Sequence, residues 1–141
     1  KTRRSTSGGV ILHGSHVIHQ WSSTQSVIAL SSGEAELNAI VKCMSELIGV
    51  ANMMKAMGHD LKRRILTDSS AANGIVHRRG SGKVKHREVR QLWVQDHIEQ
   101  GHVVCQKIPR AENFADLFTH HWSPGEGDKF EDGLGIERLA F

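Results

Sequence analysis

Apolar and polar positions change period several times along this chain, and each change marks an element. Residues 10–23, VILHGSHVIHQWSS, put two short apolar runs on either side of His13-Gly14-Ser15, which reads as two strands joined by a tight turn. SVIAL (26–30) is a third strand-like run. It leads into SSGEAELNAIVKCMSELIGVANMMKAMG (31–58), where Leu37, Ile40, Val41, Met44, Leu47, Ile48, Ala51 and Met54 recur at helical spacing. Ser31 followed by Glu34 fits a capping box, and Gly58 closes the run. A strand RRILTD (63–68), a short helix SSAANGIVH (69–77) and a basic loop RRGSGKVK (78–85) come next. The helix HREVRQLWVQDHIEQG (86–101) sets Val89, Leu92 and Trp93 on one face; a strand HVVCQKIP (102–109) and a last helix near ENFADLFTHH (112–121) follow. The order predicts an α/β fold, a mixed sheet carrying helices.

Length sets one domain with a real core in its 141 residues. The Gly- and acid-rich tail, 122–141, reads as a poorly packed appendage to a domain of residues 1–121. Its five acids and two bases give it a net −3, which leaves +6 of the total +3 for residues 1–121. Such an excess suits a polyanionic partner. Cys43 and Cys105 stand too far apart for a metal motif and read as reduced thiols in an intracellular protein, with no membrane-spanning run and no secretory signal. A start at Lys1 without methionine suggests an internal or processed piece of a longer polypeptide. His13, His16 and His19 recur at intervals of three, but alternation along a strand would turn His16 away from the other two, so no zinc site is expected.

Three acids stand out by position. Glu36 lies in the first turns of the long helix, Asp68 ends a strand, and Asp116 lies in the first turn of the last helix, where Asn113 is a candidate cap. Strand ends and helix starts in α/β sheets gather at one edge. Three carboxylates there would repel one another unless a divalent ion sat among them, and hard oxygen donors suit Mg²⁺ or Mn²⁺. Each acid also has an ordinary explanation as a cap or a solvated face, and spacing alone favours that one.

TRRSTSGGV, WSSTQSVIALSSGEAEL, ILTDSSAA, KVKHREVRQLWVQDHIEQG and KIPRAENFADLFTHH occur in this order over residues 2–121. Together they resemble the ribonuclease H domain that ends the polyprotein of copia-type retrotransposons. The resemblance implies a ribonuclease H-like fold, a mixed sheet flanked by helices. It also implies two-metal hydrolysis of the RNA strand of RNA–DNA hybrids, with Glu36, Asp68 and Asp116 as catalytic, metal-binding acids. The family carries a fourth acid on a first, central strand that precedes TRRSTSG, and this sequence has neither. The resemblance therefore implies impaired cleavage, or a non-catalytic module that binds nucleic acid or a protein. It further implies that the piece is unstable alone, is completed by a neighbouring polypeptide or fills the gap in its sheet differently, with the reverse transcriptase portion of a polyprotein upstream. Beside the acids, Arg78, Arg79, Lys83, Lys85 and His86 are expected to track hybrid phosphates, and Ser69 and Asn73 to donate hydrogen bonds to nucleic acid.

Overall fold

In a computed structural model, described over residues 4–78, 89–119 and 132–134, the expected strand–turn–strand opening is present. Strand β1 (Thr6–His13) pairs antiparallel with β2 (His16–Thr24) around a two-residue turn, with a register irregularity at Ile11/Leu12. His13 faces His16 directly across this turn, so the two do not point apart as strand alternation predicts. His19 instead stacks on Trp21, with ring centroids 5.5 Å apart.

SVIAL forms no strand. Two neighbours claim the chain there. Gln25 donates its side-chain amide to Ser7 Oγ and to Ala35 O, both at 2.8 Å, and its backbone N–H to Ser5 O, which turns the chain back over β1. Glu34 then reaches back to accept from Leu30 N at 2.7 Å, while Ser31 Oγ accepts from Glu34 N at 3.1 Å. The capping box thus locks residues 30–34 into a helix start, and Leu30 is left 93% exposed.

Helix α1 (Ser32–Ala56) follows and ends before Gly58, whose φ of +91° continues no helix. Strand β3 (Arg64–Thr67), α2 (Ser70–Val76), α3 (Val89–Glu99) and β4 (Val104–Lys107) complete the regular elements. One core joins α1, α2, α3 and the β3–β4 pair, built from Leu37, Ile40, Met44, Ile65, Ala72, Val76, Val94, Val103 and Cys105. Helix α3 buries Val94 and half-buries Trp93 and Ile98, while Val89 and Leu92 of the expected face are exposed. The last helix is replaced by two short 3₁₀ segments, Arg110–Glu112 and Phe114–Phe118. In the tail, Leu134 is buried, and a Cβ at Gly133 would meet the Phe114 ring, so this part of the tail is packed.

The fold is α/β, but the sheet is in two pieces. Among the described residues β1 pairs only with β2, and β3 pairs in parallel only with β4. Between β1 and β3 lies a cleft of about 570 Å³, lined by Gly8 to Gly14 on one side and Lys62 to Asp68 on the other. A row of strand N–H and C=O groups on each side therefore lacks a ladder partner among the described residues.

The two thiols lie within this packing. Burial pushes Cys43 up to about 12, with Cys105 and Glu46 adding to the shift, and burial pushes Cys105 up to about 11. Folding thus favours the protonated thiols. Their stabilising contribution is complete below the unfolded thiol pKa of about 8.5 and is lost as pH rises toward 11–12. At pH 8 a disulfide reagent should modify the native chain at least roughly a hundredfold more slowly than the urea-unfolded chain. Equal rates would mean that the thiols are open.

Candidate functional site

The acids arrive from three elements. Glu36 sits on the first turns of α1, with its side chain exposed, and faces the cleft. Asp68 follows the last residue of β3 and lines the same cleft. It does not cap α2. Ser69 does, accepting from Ala72 N at 3.2 Å, while Ser69 N donates to Thr67 Oγ1. Removing the capping role leaves the strand-end position of Asp68 to be explained by something else. Asp116 belongs to the second 3₁₀ segment, where Asn113 Oδ1 accepts from Ala115 N as the expected cap.

Asp116 is buried, and its carboxylate is engaged on both oxygens. Arg110 Nε donates to Oδ2 at 2.9 Å, and Asn113 Nδ2 lies 3.4 Å from Oδ1. The arginine pKa is raised by Asp116 first and by Asp68 and Glu36 after it, so one guanidinium feels all three acids. Among the described residues, however, no three His, Cys, Asp or Glu side chains are grouped to hold a metal ion. As arranged, the donor set does not fit a divalent cation.

The other expected contacts separate. Ser69 and Asn73 are not part of the cleft lining; Ser69 Oγ is committed to the cap, and Asn73 Oδ1 is buried without a hydrogen-bond partner among the described residues. Arg78 lies beyond the far end of α2, about 15 Å along the helix direction from Asp68 at ~1.5 Å per residue. It lines a different hollow of about 690 Å³ with Val76, Leu92 and Trp93. Arg79, Lys83, Lys85 and His86 fall outside the described residues.

Two glycines missed by residue-type reasoning hold the site together. A Cβ on Gly8 would stand 2.7 Å from Thr119 Cγ2, 2.9 Å from Phe118 Cβ and 3.2 Å from Ala115 O. The segment that carries Asp116 thus lies directly on the β1 backbone, and Ser22 Oγ of β2 fixes it by donating to Phe118 O at 2.7 Å. The paired glycine in SGG was the available signal. Gly9, opposite Trp21, is covered by that indole, which a Cβ there would meet.

Over 83% of its length the chain is 28% identical to the retrovirus-related Pol polyprotein from transposon TNT 1-94 of Nicotiana tabacum. Over 96% of its length it is 24% identical to the retrovirus-related Pol polyprotein from transposon RE1 of Arabidopsis thaliana. It is similar to a stretch of retroelement Pol polyproteins. The chain spans 9% of each of these curated relatives. No protein-family model and no solved structure matches it. Among the described residues no helix is long and apolar enough to cross a membrane.

Gly8→Ala should lower stability by about 1–3 kcal/mol, because the added methyl meets backbone and Cβ atoms that have little room to yield. Gly49→Ala, in α1 with nothing within 4 Å of the new methyl, should raise it by about 0.5–1 kcal/mol. Urea unfolding of both variants checks the pair; a neutral Gly8→Ala would mean that the Asp116 segment does not rest on β1.

Proposed function

We propose that this chain is the ribonuclease H-like portion of a retroelement Pol polyprotein, and that its ligand is an RNA–DNA hybrid. Similarity to Pol polyproteins along nearly the whole chain carries the reading. The cleft supports it, since Glu36 and Asp68 open onto it and the Asp116 segment borders it at Asn113 and Ala115. We further propose that an extended polypeptide segment from the upstream, reverse transcriptase side of the polyprotein lies between β1 and β3. The facing, unladdered strand edges support this, as does a wall formed by Ile40, Cys43 and Leu47 that would receive apolar side chains.

Mg²⁺ or Mn²⁺ is the cation that carboxylate oxygens suit, yet the described acids of this chain are not grouped to hold one. Hydrolysis is therefore proposed for the completed polyprotein, and hybrid binding with little cleavage for this chain by itself. That division follows from the non-additive loss of activity when part of a catalytic cluster is out of place.

Mg²⁺-dependent hybrid cleavage by the purified chain should be close to background. Robust cleavage abolished by Asp68→Asn would overturn the division. Hybrid binding should weaken steeply with salt. Replacing Arg79, Lys83 and Lys85 by Ala should flatten the log–log slope by up to about one unit for each phosphate no longer neutralised. Equal slopes in the wild type and the triple variant would remove this basic segment from the binding site.

A further inference from the structure

Thr67, the buried last residue of β3, holds two neighbours in place. Across the parallel ladder it stands opposite Lys107, and its carbonyl accepts from Ile108 N at 2.9 Å. On its own side its hydroxyl accepts from Ser69 N at 3.2 Å, which sets the turn that carries Asp68 and presents Ser70. The two exposed side chains so placed meet: Lys107 Nζ donates to Ser70 Oγ. Ser70 follows Asp68 by two positions, so at most about 7 Å of backbone separates them. We infer that Lys107 and Ser70 form a phosphate-binding pair for a nucleic-acid backbone that passes over Asp68. This contact rests on the RNA–DNA hybrid ligand proposed above.

Charge and donor chemistry favour an anion here. Among the described residues no carboxylate pairs with Lys107. Arg110, the next cation along the chain, is already bonded to Asp116. An ammonium carries three N–H donors, of which Ser70 takes one, and the hydroxyl hydrogen of Ser70 is left to donate. A phosphate set beside the pair accepts from both, with the lysine charge strengthening the bond. Because Ser70 already restrains the lysine stem, less side-chain entropy is lost on binding than for a freely rotating lysine. The positive charge also offsets the repulsion that Asp68 exerts on a passing polyanion. Such a contact positions the backbone without reading the bases. Residue type alone did not single out Lys107, since its nearness to Asp68 comes from the β3–β4 register.

The test measures binding of the whole chain to a short RNA–DNA hybrid by fluorescence anisotropy at several salt concentrations. Lys107→Ala should flatten the log–log slope by about one unit, whereas Lys107→Arg, which keeps the charge, should retain the wild-type slope. Ser70→Ala removes a donor but no charge. It should weaken binding about three- to tenfold at every salt concentration and leave the slope unchanged. Lys55→Ala controls for net charge, because Lys55 lies in the last turn of α1, about 29 Å along the helix from Glu36. Its slope should equal that of the wild type. Equal slopes of wild type and Lys107→Ala, or equal flattening by Lys107→Ala and Lys55→Ala, would overturn the inference and leave the hybrid-binding reading standing. No hybrid binding by the wild-type chain at low salt would overturn that reading, and the phosphate contact with it.

Discussion

Helix α1 carries the structure because the two sheets do not carry each other. The β1–β2 hairpin and the β3–β4 pair share no ladder among the described residues, and α1 touches β1, β3, α2 and α3. Its inner stripe, Leu37, Ile40 and Met44, forms the floor on which β3 and the two shorter helices pack. Polar ties then fasten the hairpin: Gln25 bridges Ser7 and Ala35 O, and Lys42 Nζ donates to Ser23 Oγ at 3.1 Å. Apolar burial supplies the bulk of the cohesion on the β3 side. On the hairpin side a few directed hydrogen bonds and the buried Ile11 set the orientation.

This division of labour positions the acids. Glu36 is fixed by the capped start of α1, Asp68 by the β3 edge of the core, and Asp116 by a segment laid over Gly8. Each is placed by a different kind of force, so the three need not reach metal-binding geometry together. Among the described residues no strand couples β1 to β3 across the cleft. Arg110 pairs with Asp116, the buried one of the three, at 2.9 Å.

Strands around a short turn, a long helix opened by Ser31 and Glu34, and the apolar stripe of α1 were all legible in the amino-acid sequence. Periodicity and capping are local, acting over three or four residues, and local preference agreed with tertiary demand there. SVIAL and the last helix were misread for the opposite reason. Gln25 and the reach of Glu34 to Leu30 overruled a strand-like composition. Near the end of the chain, the pairing of Asp116 with Arg110 and its seat on Gly8 go with short 3₁₀ turns in place of a regular helix.

By itself the sequence determined the kinds of element, the candidate acids and the likeness to retroelement polyproteins, because these reside in residue order and short-range pattern. Only the tertiary structure decided that the sheet is divided, that Ser69 and not Asp68 caps α2, and that Arg78 lies at the far end of α2 from the acids. It also decided that Asp116 is held by an arginine six positions earlier, a pairing no spacing rule singles out. Such facts depend on which backbones approach closely and which charges are left facing one another, and they arise only once distant segments share a core.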